Sequence, residues 1–178
     1  MRRIRHRSER AFTLMELMTV MVIMSILMVL LLKATDSMRA RAEKANCISN
    51  LKSLYTGAAA YVMDKGEWPQ VPARLVRTNS KEYAKLWINS LAPYGISQRN
   101  WICPTKQRNM GAPDLTKDEN RRIDYNATPF DSRPHTAYLW PRQPWFVEHA
   151  ASHDGGPLLI MTNGRVMTMR EAIGPKLH

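Results

Sequence analysis

Two cysteines and a histidine–aspartate pair are the candidates in this chain for metal binding or nucleophilic chemistry. Cys47 and Cys103 lie far apart, and neither has the closely spaced Cys or His partner that is typical of a zinc site. His153 precedes Asp154, but the sequence contains no Gly-x-Ser-x-Gly elbow, no His-Glu-x-x-His motif and no Cys beside a His. The acidic residues between 114 and 124 do not follow EF-hand spacing. We therefore predict no catalytic residue, no metal site and no cofactor, and we expect His153 to hydrogen-bond within its own loop.

Glu16 is the other residue whose position needs a chemical explanation. It is the only charged residue in positions 14–32, a run of nineteen residues without Gly or Pro. At about 1.5 Å per residue, such a helix can cross the ~30 Å hydrocarbon core of a membrane. An ionised carboxylate there costs on the order of 2 to 4 kcal/mol. The sequence therefore predicts a membrane helix in which Glu16 requires a cationic partner.

A basic arm precedes the apolar run. It contains five Arg and one acid, Glu9, and the positive-inside tendency places it on the cytoplasmic side. The arm, Ala11 and the following Phe12-Thr13-Leu14-Met15-Glu16-Leu17 resemble the N-terminal signal of type IV prepilins and type II secretion pseudopilins. Ala11 departs from that family, which usually has Gly there. An uncleaved signal anchor is the alternative interpretation of such a segment.

The resemblance implies a processing and assembly pathway. A prepilin peptidase would cut between Ala11 and Phe12, and its methyltransferase activity would N-methylate Phe12. Glu16 would then be the fifth residue of the mature chain and would pair with the N-terminal amine of a neighbouring subunit. In a low dielectric, the loss of either member of such a pair leaves the other charge stranded.

Three spaced segments extend the resemblance to one large group of prepilin-type proteins. His153 is followed after nine residues by Asn163-Gly164, which is similar to the H-x9-D-G signature at the C-terminal end of that group. The group also tends to have a Cys near Ser-Asn-Leu-Lys, as Cys47 lies here, and a later Cys-Pro, as at Cys103. Asn163 stands where the group has Asp, so no carboxylate is available at this turn.

Asn163-Gly164 also predicts local structure, because it lies between two apolar segments. We expect a β-hairpin over residues 158–169 with a type I′ turn, in which both central residues have positive φ. If the domain is periplasmic, Cys47 and Cys103 can form a disulfide that closes a loop of about 56 residues and contributes ~3 to 4 kcal/mol in the chain-entropy model. Two unpaired thiols are the alternative.

The N-terminal helix is predicted to continue beyond the apolar run, over residues 12–63. Apolar residues recur at spacings of three and four, and Gly66 suits the C-terminal cap. The stripe comprises Met38, Ala42, Ala45, Ile48, Leu51, Tyr55, Ala58 and Val62. A second helix is expected over residues 80–91 with Trp87 in the core. Short strands are expected at 123–125 and 137–140.

The expected fold class is α+β and pilin-like, with a long N-terminal helix packed on a small antiparallel sheet. Four segments follow from this interpretation: a cleaved leader at 1–11, a transmembrane and assembly half-helix at 12–33, a periplasmic half-helix at 34–65, and a small globular domain at 66–178.

Charge gives little reason to expect a nucleic-acid partner. The chain has 178 residues and a formal net charge of +11, and loss of residues 1–11 would leave +7. Such a charge favours anionic surfaces in general. However, the basic residues form no stripe interleaved with aromatic residues, so a solvated surface is the simpler interpretation.

The resemblance implies a structural subunit of a type II secretion pseudopilus and not an enzyme. Its partners would be the prepilin peptidase and methyltransferase, other pseudopilin subunits in a homo- or hetero-oligomeric fibre, and an assembly platform in the inner membrane. The precursor would span that membrane once, with its N-terminus cytoplasmic and its domain periplasmic. Two alternatives stay open: a minor pilin of a surface type IV pilus with a role in adhesion or DNA uptake, and a membrane-tethered periplasmic enzyme or binding protein.

Overall fold

The computed structural model divides the chain into two compact units, Met1–Ala40 and Arg41–His178. It describes residues 12–76, 81–111, 113, 114, 117, 122–149, 153 and 155–174. Three residues of the sequence predictions lie outside these residues: the cleavage residue Ala11, the first residue of the second predicted helix, Ser80, and Asp154.

Helix α1, Leu14–Lys65, confirms the long N-terminal helix. It ends where Gly66 adopts a φ of 77° and donates its N–H to the carbonyl of Val62 at 2.9 Å. Glycine reaches this left-handed conformation without a Cβ penalty, which explains why the helix stops here.

The buried face of α1 differs in part from the predicted stripe. Met38, Ala42 and Ala45 are exposed. The fully buried residues are Cys47, Leu51, Leu54, Ala58 and Val62. Their spacing of four, three, four and four residues keeps one side of the helix toward the core of the second unit.

In the described part of the chain, α1 is followed by the shorter helices α2 at Ala73–Val76, α3 at Lys81–Leu91 and α4 at Pro104–Met110. Helix α3 confirms the second predicted helix, and Trp87 is buried in the core as expected. A last helix, α5, covers Met169–Ile173 and is capped by the Thr168 hydroxyl, which accepts the N–H of Glu171.

Four strands form one antiparallel sheet in the order β1-β2-β3-β4. They are Tyr125–Ala127, Pro144–Glu148, Leu158–Met161 and Val166–Thr168. The α+β class with a long helix and a small antiparallel sheet is therefore confirmed. The strand expected at 137–140 is wrong, because Thr136–Tyr138 forms a 3-10 turn instead.

The hairpin between β3 and β4 confirms the predicted β-hairpin, but its turn is of a different type. Gly164 donates to Met161 O at 2.9 Å, Met161 donates to Arg165 O at 3.0 Å, and Gly164 alone of the two turn residues has positive φ, at 75°. This is a type I turn followed by a glycine bulge. The type I′ prediction was wrong because Arg165 N–H binds the side chain of Asn163 at 3.0 Å, so Asn163 stabilises the turn without a left-handed backbone.

The core of the second unit is rich in aromatic residues. Trp68 lies at its centre, with its ring centroid 5.0 Å from that of Trp145 and 5.7 Å from that of Trp87. Trp101 and Phe146 complete the group, with ring centroids 5.9 Å apart. These five side chains are almost completely buried and pack against the buried face of α1.

Candidate functional site

Side chains from four separate segments meet inside the second unit. Cys47 comes from α1, and Cys103 is the residue before α4. Glu148 ends β2, and His153 lies in the loop that leads to β3. One possible metal-ligating atom of each residue lies within 4.8 Å of those of the other three. We call these four residues the buried cluster.

The distances within the buried cluster are short. The two Sγ atoms are 3.0 Å apart, and both cysteines are free thiols in the structure. The thiol of Cys103 donates to Glu148 Oε1 at 2.9 Å, and Nε2 of His153 lies 3.4 Å from the same oxygen. The side chains of His153 and Glu148 are only 4% and 1% exposed, so both groups are shielded from bulk solvent.

The cluster residues shift one another's pKa values. Contact with Cys103, and then with Glu148, raises the pKa of His153 to about 9. Burial acts to raise the pKa of Glu148, but its bonds to His153, Cys103 and the N–H of Leu158 together lower it. The bond between the thiols lowers the pKa of Cys47 and raises that of Cys103. At neutral pH, an imidazolium and a carboxylate therefore lie side by side against the two sulfur atoms.

Asp124 holds one wall of the buried cluster in place. Its side chain is completely buried, and its Oδ2 accepts the backbone N–H of Cys103 at 2.9 Å. Its Oδ1 lies 2.9 Å from Nζ of Lys106 and 3.4 Å from Nε of Arg122. Because these two partly exposed cations compensate the carboxylate, Asp124 can position Cys103 without leaving an unpaired negative charge in the interior.

The first unit presents a different kind of site, at the start of α1. Both the N–H and the hydroxyl of Thr13 donate to Glu16 Oε2 at 3.0 Å, and the N–H of Glu16 donates to Thr13 Oγ1 at 3.2 Å. This reciprocal capping box fixes the Glu16 carboxylate about one helical turn from Phe12. The carboxylate is therefore held beside the position at which a processed chain would begin.

The apolar side chains that follow Glu16 have no cover among the residues that the structure describes. Every residue from 12 to 33 is exposed, and by length and composition α1 contains a segment that could cross a membrane. Large exposed apolar surfaces of this kind mark contact with lipid or with other protein.

A family model matches the chain over residues 6–32. These residues form a prokaryotic N-terminal methylation motif. The methylation motif confirms the resemblance to type IV prepilin-like signals and indicates a type IV pilin-like or pseudopilin precursor. It implies processing by a prepilin peptidase and assembly with other pilin-type subunits, and it fits an N-terminus anchored in the membrane. Comparisons with curated proteins and with solved structures found no match.

Outside the methylation motif, the structure brings most of the predicted residues together. Cys47 and Cys103 are adjacent, and their disulfide stays a prediction. The backbone carbonyl of His153 accepts the N–H of Gly156 at 3.1 Å, while its side chain lies in the buried cluster.

The predicted turn residues lie elsewhere, where the turn between β3 and β4 packs against α1. A Cβ added to Gly164 would lie 3.3 Å from Tyr55, whose hydroxyl donates to Thr162 O at 2.8 Å. Thr162 and Gly164 therefore dock the hairpin on the helix, and neither Asn163 nor Gly164 belongs to the buried cluster.

Sequence reasoning missed Glu148. No local spacing connects this residue to a cysteine or histidine, because its position depends on the pairing of β2 with β3. A signal was nevertheless present, since each of the cysteine and histidine segments in the prepilin-type resemblance supplies one potential metal ligand. Their recurrence together could have suggested a shared site.

Proposed function

We propose that this protein is a structural subunit of a type II secretion pseudopilus that assembles through α1 after its leader has been removed. The observation that carries the proposal is the start of α1, where residues 14–32 expose apolar side chains on every side and Glu16 lies at the N-terminal end. Lipid would cover this surface in the precursor. Helices of neighbouring subunits would cover it in the fibre.

Glu16 supplies the assembly contact in this proposal. Cleavage between Ala11 and Phe12 creates an amine within about one helical turn of the carboxylate. Subunits stacked along a fibre can then place the amine of one chain against Glu16 of the next. In a helix bundle that excludes water, this pair fixes the register of the subunits, because each unpaired charge is costly.

The choice of a secretion pseudopilus over a surface pilus rests on the sequence resemblance. The second unit would face the periplasm, and its role would be structural. A minor pilin of a surface pilus, with a role in adhesion or DNA uptake, uses the same N-terminal chemistry and is separated from the proposal by the experiments below.

Processing is tested on the full chain coexpressed with a prepilin peptidase, by intact mass and N-terminal sequencing of the detergent-extracted protein. The proposal expects a chain that starts at Phe12 and carries one added methyl group. Ala11→Gly, which restores the residue usual in the family, should be processed at least as completely. A wild-type chain and an Ala11→Gly chain that both still start at Met1 would overturn the proposal.

Assembly is tested with Glu16→Gln and the matched control Asp36→Asn, which removes an exposed carboxylate on the same helix beyond the apolar run. We expect Glu16→Gln to be cleaved but absent from cross-linked fibres, and Asp36→Asn to assemble normally. Deletion of the gene in the native host should abolish secretion of exported proteins and leave surface pili intact. The reverse result would favour the surface pilus, as would salt-sensitive retention of DNA by the protein.

A further inference from the structure

The residue types in the buried cluster form a recognisable set of metal ligands. Two thiols, one imidazole and one carboxylate converge from four segments, and their ligand atoms all lie within 4.8 Å of one another. Thiolate and imidazole ligands favour zinc over magnesium or calcium, which prefer oxygen. We propose that Cys47, Cys103, Glu148 and His153 bind one zinc ion in tetrahedral coordination.

The observed distances are close to those of such a site. Zn–S bonds of about 2.3 Å and Zn–N or Zn–O bonds of about 2.0 to 2.2 Å place neighbouring ligand atoms roughly 3.3 to 3.8 Å apart. Here the two Sγ atoms are 3.0 Å apart, Cys103 Sγ lies 2.9 Å from Glu148 Oε1, and His153 Nε2 lies 3.4 Å from that oxygen. Shifts of less than about 1 Å would therefore admit the ion.

The burial of His153 is a second, independent observation. Its side chain is 96% buried, since 4% of it is exposed, and its Nε2 faces the cluster without a well-formed hydrogen bond within the described residues, its contact with Glu148 Oε1 being 3.4 Å long. A buried polar atom without a partner normally costs free energy. Coordination to a metal would give this nitrogen a much closer partner than the Glu148 oxygen at 3.4 Å.

The surroundings hold two of the ligands in position. Oε2 of Glu148 accepts the N–H of Leu158 at 3.1 Å, which leaves Oε1 turned toward the sulfur atoms. The backbone of Cys103 is fixed by Asp124 at 2.9 Å. Outer contacts of this kind orient the ligands of metal sites and preserve their geometry.

A disulfide between Cys47 and Cys103 explains less of the site. It would account for the two sulfur atoms, but it would leave Glu148 and His153 beside them only as a buried ion pair. Zinc uses all four residues, and its binding releases to solvent the two thiol protons and the proton of the His153 imidazolium, because a metal-bound imidazole is neutral. The inference holds whether or not the chain is assembled into a fibre, because the cluster lies wholly within the second unit.

The test uses the full chain in detergent micelles, purified without chelators and kept reduced by a phosphine, which does not compete for zinc as thiols do. Metal analysis should give one zinc per chain. After removal of the metal, added Co²⁺ should produce the thiolate-to-cobalt charge-transfer bands and the visible absorption of tetrahedral cobalt, and one equivalent of Zn²⁺ should abolish both.

Variants assign the ligands. Cys47→Ser should lose charge-transfer intensity, and His153→Ala should lower zinc affinity by more than the ~10- to 100-fold typical of changes outside the ligand set. The matched control is His149→Ala, which removes an exposed histidine outside the cluster and should bind as wild type does. Glu148→Gln tests the carboxylate as a ligand, because it removes the charge and keeps the shape of the side chain. Tryptophan fluorescence checks that each variant is folded.

Two results would overturn the proposal. In the first, the reduced, folded wild-type chain takes up neither Zn²⁺ nor Co²⁺ in excess. In the second, His153→Ala and Glu148→Gln bind metal as tightly as wild type does. If the chain is isolated as a Cys47–Cys103 disulfide, it is reduced first, and uptake by the reduced chain decides.

Discussion

Replacement of Asp124 by Asn tests the wall of the buried cluster. Asn keeps the size of the side chain and can still accept the Cys103 N–H through its amide oxygen, but it removes the negative charge. Lys106 and Arg122, whose side chains are 17% and 24% exposed, would then lose their common partner in a mostly water-excluded site.

The magnitude follows from burial. Removing one member of a buried ion pair costs about 3 to 5 kcal/mol, because the remaining charge is left without compensation. Because Lys106 and Arg122 are partly exposed, we expect the loss of unfolding free energy in Asp124→Asn to lie near the lower end of this range, at about 3 kcal/mol. For a domain of this size, that corresponds to a fall in Tm of roughly 6 to 12 °C. Asp124→Ala should cost a further ~1 to 3 kcal/mol, since it also leaves the Cys103 N–H unpaired.

A matched control has the same chemistry on the surface. Asp131 contacts Arg133 at 2.6 Å, a shorter distance than either contact of Asp124, but this pair is exposed. Exposed pairs contribute little because water and salt screen them. We therefore expect Asp131→Asn to leave the unfolding free energy close to that of wild type, although its ion pair is the closer one.

Urea unfolding of the full chain in detergent micelles, followed by tryptophan fluorescence, measures the difference. Trp101 is a suitable reporter, since it is buried and its carbonyl accepts the Asp124 N–H at 2.8 Å. Equal unfolding free energies for Asp124→Asn and Asp131→Asn would refute the reasoning. They would mean that Lys106 and Arg122 become solvated by water when the carboxylate charge is removed.

Three further predictions concern other parts of the second unit. Gly57→Ala should lower the free energy of unfolding, although Ala favours the helix by about 1 kcal/mol over Gly, because the added Cβ would lie 2.3 Å from Ile96 Cγ1. Denaturant midpoints should show a smaller loss when the same change is made in an Ile96→Ala background. Additive effects of the two substitutions would contradict the clash. Trp145→Ala should cost about 3 to 5 kcal/mol by calorimetry, since its ring is completely buried, and a loss below 1 kcal/mol would mean that the core refills. The bond from Arg133 lowers the pKa of Asp131 to about 2; because the pair is exposed, its contribution to stability is small, is complete above about pH 4 and is lost as the pH falls toward 2. An NMR titration with an ordinary aspartate midpoint would exclude this pair in solution.

The parts of the fold that sequence predicts well are those specified by neighbouring residues. Helix α1 follows from an unbroken helical pattern, and Gly66 ends it for a local reason. Strand β2 was not predicted because it lacks alternation. A register shift between Pro144 and Phe146 in its pairing with β3 turns both Trp145 and Phe146 toward the core, and this bulge arises only from pairing with a distant strand.

The candidate sites divide in the same way. Phe12 and Glu16 can be recognised from the sequence because they belong to one short motif of neighbouring residues at the start of α1. The buried cluster depends on contacts between residues distant in sequence, so spacing rules for zinc, which compare near neighbours, pass over Cys47 and Cys103. Only the fold shows that Glu148 and His153 reach the same point.

The wide sequence separation of the buried cluster also constrains the order of folding. Cys47 is made early and His153 late, so the four side chains can meet only when most of the second unit has been synthesised. Until then, Cys47 has no complete set of neighbours and is open to oxidants or to mispairing. A chain truncated before residue 148 would keep the whole of α1, but it would lack Glu148 and His153 and could not form the buried cluster. The cluster is thus complete only when the domain is nearly complete. A finished subunit and a truncated fragment therefore differ chemically, because only the finished subunit surrounds Cys47 with the other three side chains.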